Sequence, residues 1–102
     1  MTFDAYQIQI PPSFQALYVD ARGRLIVPLD AFRARYELCE DMAQLLVDRS
    51  QALHHDQGIA EDLILARTRS GLSDPEAGFS AAEAGWVVTR LAELLGWDCP
   101  AG

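Results

Sequence analysis

Hydrophobic positions in the last third of the chain repeat with the period of an α-helix. Between Ser80 and Trp97 the apolar residues recur every three or four positions, at Ala84, Val87, Val88, Leu91, Leu94 and Leu95. Ser80 and Glu83 have the S-x-x-E spacing of a capping box, and Gly96 stands where a left-handed C-cap is favoured. The pattern therefore predicts a helix over residues 80–95 with one buried face.

The longest predicted helix covers residues 30–55, with Asp30 as its N-cap and Gly58 just beyond its end. Its expected apolar face consists of Phe32, Tyr36, Cys39, Met42, Leu45, Leu46 and Leu53. Its expected polar face consists of Glu37, Asp41, Gln44, Asp48, Gln51 and His55. Because this apolar face is the longest in the chain, we expect the helix to be the core element, with Leu46 fully buried.

Shorter elements complete the predicted fold. A short helix with proline in its first turn is expected over residues 12–18. A third helix is expected over 60–70, closed by Gly71, with its apolar side formed by Ile59, Leu63, Ile64 and Ala66. Residues 1–10 have the alternation of an extended arm, and residues 98–102 are expected to be a frayed tail. The sequence thus predicts a single, mainly α-helical domain over 1–102, a small bundle of about four helices.

Size and cysteine content limit the classes of protein to consider. A chain of 102 residues, half of them hydrophobic, can form one folded core. It has no run of about 18 apolar residues, so no membrane span is predicted, and the acidic Asp4 disfavours a signal peptide. Cys39 and Cys99 lack the spacing of a metal site or a redox motif. We therefore expect a cytoplasmic location.

The charge of the chain bears on its partners. Fifteen acidic residues against eight arginines give a net charge of −7. Such a charge repels nucleic acid and anionic lipid at long range, so neither is expected as a partner, whereas a protein with a basic surface is favoured. Glu37, Glu40 and Asp41 form an acidic group on or near the polar face of the long helix. We expect these carboxylates to be solvated.

No set of residues has the spacing of a known catalytic or metal-binding motif. His54 and His55 are adjacent, and neighbouring helical residues point about 100° apart, so the two imidazoles cannot chelate one ion as an i, i+4 pair can. We expect solvated histidines near a helix end. Cys39 is expected to be a buried small hydrophobe rather than a nucleophile. The chain also lacks a phosphate-binding glycine motif, so no catalytic, metal or cofactor residue is predicted.

Six residues are candidates for an interface between copies of the chain. Tyr6, Ile8 and Ile10 alternate with glutamines and have no second long strand to pair with. In the last helix, Ala82 and Gly85 indicate a tight helix–helix contact. Trp86 has two equally supported interpretations, as a core residue or as an interface anchor. These features together predict a homodimer.

Residues 19–28, VDARGRLIVP, resemble the D-x-x-G-R hairpin of the AbrB/MraZ transition-state regulators. We expect a turn over 20–24 followed by a brief extended segment. The resemblance implies a swapped-hairpin β dimer that binds DNA. Two features depart from the family pattern: the arginine expected soon after the proline is displaced to Arg33, and a long helix follows where the family has β-structure.

Three blocks of the chain, which together are longer than this hairpin, are similar to a family of small proteobacterial proteins, some labelled as ATPases with chaperone activity. The blocks are IPPSFQALY at 10–18, ARYELCEDMA at 34–43 and AEAGWVVTRLAELLGW at 82–97. The label implies nucleotide hydrolysis, but the chain has no phosphate-binding motif to which that activity could be assigned. The resemblance therefore implies a small bacterial helical protein and transfers no functional residue.

Three classes of function stay open. The first is a small non-enzymatic interaction or adaptor domain that binds through an apolar patch rimmed by acidic residues. The second is a DNA-binding regulator of the hairpin type. The third is a small hydrolase or metal enzyme that uses His54, His55 and nearby carboxylates.

Overall fold

A computed structural model describes residues 10–98. It contains four α-helices: α1 over Pro12–Gln15, α2 over Leu29–His55, α3 over Glu61–Leu72 and α4 over Ala81–Leu95. Single 3₁₀ turns occupy Ala16–Tyr18 and Pro75–Ala77. Within 10–98 the only β-type pairing is one isolated antiparallel bridge. The mainly α-helical class predicted from the sequence is confirmed.

The chain divides into two compact units between Glu37 and Leu38, a boundary that falls inside α2. The first unit is held by a cluster of aromatic rings. Phe14 is completely buried, and its ring centroid lies 5.4 Å from that of Tyr36, 5.5 Å from that of Tyr18 and 5.8 Å from that of Phe32. Such tilted and edge-on pairs contribute about 0.5–1.5 kcal/mol each beyond the area they bury.

A tight turn in the first unit matches the turn predicted over residues 20–24. The Asp20 carboxylate accepts hydrogen bonds from the backbone N–H groups of Arg22 and Arg24, at 2.8 and 3.0 Å. Gly23 adopts φ +82°, which an L-residue with a side chain rarely adopts. The isolated bridge joins Val19 to Leu25 across this turn. The turn is therefore set by the local chemistry of aspartate and glycine.

The second unit contains the rest of α2 together with α3 and α4. Its buried hydrophobic side chains are Cys39 and Ala43 on α2, Ile64, Leu65 and Leu72 on α3, Phe79, and Ala84, Trp86, Val87, Val88, Leu91 and Ala92 on α4. The predicted stripe on α4 is confirmed at its first four positions, whereas the last two, Leu94 and Leu95, are half-buried.

Several predicted core positions on α2 and α3 are wrong. Leu45 is 73% exposed and Leu63 is 43% exposed, while Ala43 and Leu65 are buried in their place. Each pair lies two residues apart, about 200° around a helix, so the burial of one exposes the other. Ala66 is exposed as well, and Leu46 is half-buried rather than fully buried. The six positions predicted for the polar face of α2 are all exposed, as expected.

The predicted capping residues agree with the observed helix ends at α4 but not at every other helix. At α4 the capping box is complete: the Ser80 hydroxyl accepts from the Glu83 N–H at 3.0 Å, and the Glu83 carboxylate accepts from the Ser80 N–H at 2.9 Å. Gly96 takes φ +73°, as predicted. Two other predictions are wrong. Helix α2 begins at Leu29, so Asp30 lies inside its first turn, and α3 continues through Gly71 to Leu72.

Candidate functional site

Four of the six predicted interface residues lie within residues 10–98: Ile10, Ala82, Gly85 and Trp86. Trp86 is buried, with 8% of its surface exposed, so the chain itself covers most of this side chain. Gly85 contacts α3: a Cβ built on it would lie 3.3 Å from Nη2 of Arg69. The atoms nearest to this position belong to the Arg69 side chain rather than to another helix backbone, so the interface role of Gly85 stays a prediction. Ala82 is exposed, and Ile10 is half-buried. Tyr6 and Ile8 lie outside the described residues.

His54 joins the end of α2 to the start of α3. Its Nδ1 lies 2.8 Å from the backbone oxygen of Ile59, and its Nε2 lies 3.5 Å from Oε2 of Glu61. Its ring packs edge-on against those of His55 and Trp97. His54 is half-buried with defined partners, so the expectation of a solvated side chain is wrong for it and right for the exposed His55.

In the part of the chain that the structure describes, no arrangement of side chains indicates a metal site or a reactive cysteine. Residues 10–98 contain no group of three or more His, Cys, Asp or Glu side chains that could hold a metal ion. Cys39 is completely buried, as expected for a small hydrophobe. Cys99 lies outside the described residues. In the same range, no helix is long and apolar enough to cross a membrane.

Glu40 has a partner that the sequence did not reveal. Nε and Nη2 of Arg90 on α4 donate to its carboxylate at 2.9–3.2 Å, an almost bidentate pair between α2 and α4. Partial burial raises the pKa of Glu40, but the hydrogen bonds from Arg90 and Gln44 and the positive charge of Arg90 outweigh it, so the pKa lies below its usual value of 4.5. The predicted solvated carboxylate is thus a structural ion pair.

A groove of about 320 Å³ runs between the C-terminal half of α2 and α3. Its apolar lining consists of Leu46, Leu53, Ile59, Ile64 and Leu72. Arg49 on α2 and Arg67 on α3 also line it, and both are exposed. Neither arginine pairs with a carboxylate of residues 10–98. The groove therefore combines an apolar lining with two guanidinium groups that have no acidic partner in that range.

The outward face of α2 presents a different surface. Leu38 is 43% exposed and Leu45 is 73% exposed, and Ala52 continues the same row at a spacing of seven residues. A seven-residue spacing keeps side chains on one side of a helix, with a drift of about 20° per repeat. Asp41 and Asp48 form a second row beside the first, and both are exposed. We call this set of five residues the α2 outward face.

Comparison of the chain with family models, with curated proteins and with solved structures finds no significant match. The function is therefore inferred from the surfaces of the chain alone.

Proposed function

We propose that this protein is a non-enzymatic interaction domain that binds a basic, amphipathic helix of another protein on the α2 outward face. The observation that carries the proposal is the exposure of Leu45 in the middle of a long helix, with Leu38 two turns before it. Single exposed leucines are common on protein surfaces. Leucines seven residues apart form one of the two apolar rows with which one helix packs against another.

The charges beside this row favour a basic partner. Asp41 and Asp48 lie on the helix positions next to Leu38 and Leu45. Neither aspartate forms an ion pair within residues 10–98. The net charge of −7 adds a long-range attraction for cationic surfaces. A partner helix with leucines on one face and lysines or arginines along its flank would match both rows.

A second copy of the chain matches this face less well, because it would bring the same aspartates against each other. The homodimer predicted from Tyr6, Ile8, Ile10 and the last helix involves other residues and stays a separate prediction. Sedimentation of the protein alone distinguishes the two: a dimer that Leu45→Gln dissociates would assign the α2 outward face to a second copy and contradict the basic partner.

The proposal is tested with two designed helical peptides that differ only in charge. One carries leucines on one face and lysines on its flanks, and the other has glutamate at every lysine position. Fluorescence anisotropy at physiological salt should show micromolar binding of the lysine peptide and at least about tenfold weaker binding of the glutamate peptide. Equal binding of the two peptides would contradict the charge argument.

Leucine variants then locate the binding surface. Leu45→Gln should weaken the binding of the lysine peptide about tenfold, since burying a leucine contributes about 1.5–3 kcal/mol. Leu63→Gln is the matched control, because Leu63 on α3 is as exposed as Leu38 but lies outside the α2 outward face. If Leu63→Gln weakens binding as much as Leu45→Gln does, the peptide is not recognised on this face.

A further inference from the structure

We infer that the groove between α2 and α3 is a binding site for a small amphipathic carboxylate, a free fatty acid with a chain of medium length. This inference concerns a different surface from the α2 outward face and does not depend on the proposed function. It rests on three features of the groove: its size and lining, its two arginines, and a glycine at its edge.

The size of the groove suits a small ligand. A volume of about 320 Å³ lies at the lower end of the range of small-molecule sites. The lining on α2 extends from Leu46 to Leu53, about 10 Å along the helix axis, which is close to the length of an extended chain of about eight carbons. Leu46, Leu53 and Ile59 are half-buried in the described chain, so each retains apolar surface that an alkyl chain could cover.

The two arginines that line the groove favour a ligand with a negatively charged headgroup. Arg49 and Arg67 line the groove from the two helices that form it. The chain has fifteen acidic residues, yet neither of these arginines pairs with an acidic residue of 10–98. Guanidinium groups bind carboxylates in a planar, two-point geometry, which favours an anionic headgroup at the polar edge of an apolar groove. The net charge of −7 acts at long range, whereas the two guanidinium groups dominate at contact distance, so a cationic headgroup on the same tail is disfavoured in this groove.

Gly71 keeps the groove open on the α3 side. It lies inside α3, where glycine costs about 1 kcal/mol relative to alanine. Its φ is not positive, and a Cβ built on it would meet no atom within 4 Å. The backbone therefore does not require glycine here. A larger side chain at this position would occupy the space that the ligand needs.

The test uses octanoate and octylammonium, which share a tail and differ in charge. Calorimetry on the full chain should show saturable binding of octanoate, and octylammonium should bind at least about tenfold more weakly. The substitutions Arg49→Gln and Arg67→Gln should each weaken octanoate binding about fivefold, as expected for the loss of a partly exposed ion pair. Arg22→Gln, in the turn of the first unit, changes the charge equally and should leave the affinity unchanged.

Gly71→Leu tests the site without removing any of its side chains. It should abolish octanoate binding, while Ser70→Leu, at the exposed neighbouring position outside the lining, should not. Thermal melts of both variants check that the fold is kept. Should Gly71→Leu melt early, Gly71→Met serves in its place. The inference is overturned if Gly71→Leu binds octanoate as tightly as the natural chain does. It is also overturned if the natural chain binds octylammonium as tightly as octanoate.

Discussion

The two compact units of this chain are stabilised in different ways. In the first unit one ring, Phe14, touches three others, and the surrounding backbone consists of a short helix, a 3₁₀ turn, a tight turn and the first part of α2. In the second unit the core is spread over many aliphatic side chains on helices, with the Glu40–Arg90 pair at its edge. The comparison suggests that stability in the first unit depends on few residues, whereas the second unit distributes it.

The greatest loss of stability is expected from truncating one fully buried side chain in each unit, Phe14 in the first and Leu91 in the second. Phe14→Ala should lower the free energy of unfolding by about 3–5 kcal/mol, and Leu91→Ala should lower it by about 2–5 kcal/mol. Urea denaturation measures both. Phe14→Leu should recover more than half of the loss if hydrophobic volume matters most. If Phe14→Ala lowers the free energy of unfolding by less than about 1 kcal/mol, the ring cluster does not stabilise the first unit.

A smaller effect belongs to the ion pair of the second unit. Arg90→Gln should cost about 1–2 kcal/mol near neutral pH, because Glu40 loses a partly buried, two-point partner. The pKa of Glu40 is lowered in the folded state, so the pair contributes stability above about pH 4.5, and the contribution is lost as the pH falls through the lowered pKa.

The pH dependence of this pair can be isolated by neutralising its acid. Denaturation of the natural chain and of Glu40→Gln from pH 7 down to pH 3 should show a stability difference that shrinks below about pH 4.5. Glu37→Gln, at an exposed acid without an ion pair within residues 10–98, is the control and should show no such change. A difference that stays constant with pH would show that charge pairing does not stabilise this edge of the second unit.

The smallest effect compares glycines of the two units by the same substitution. Gly71→Ala in α3 should raise stability by about 0.5–1 kcal/mol, because the site has ordinary helical backbone and open space. Gly23→Ala in the turn should lower stability by about 1 kcal/mol, because the turn requires φ +82°. Thermal melts should therefore move in opposite directions. Shifts of the same sign would show that the turn does not impose this backbone conformation.

The positions of the helices could be predicted because their signals are local. Ser80, Glu83 and Gly96 bracket α4 within a short stretch of sequence, and the structure forms the cap at each end. The choice of buried face was harder, since α2 has leucines on more than one side. Leu45 and Leu46 are equally hydrophobic, so the residue type does not show which of them is exposed. The packing of other helices against α2 leaves Leu45 exposed.

The candidate sites depend on contacts that are distant in sequence. Arg49 and Arg67 share a groove only because α2 and α3 are paired, and no spacing rule connects two residues on different helices. Glu40 and Arg90 are separated by fifty positions. Aspartate and glycine within residues 20–24 predict the turn from local sequence, and one bridge forms across it. Local chemistry thus determines turns and helix ends, while tertiary packing determines the surfaces.

Chemical-shift mapping shows residue by residue whether a basic helix binds on the α2 outward face. Isotope-labelled protein is titrated with the lysine peptide, and backbone amide shifts are followed along the chain. The largest shifts should cluster at Leu38, Asp41, Leu45 and Asp48, with little change around the turn at Gly23. Shifts that are largest elsewhere, or that are spread evenly over all the helices, would contradict recognition on this face.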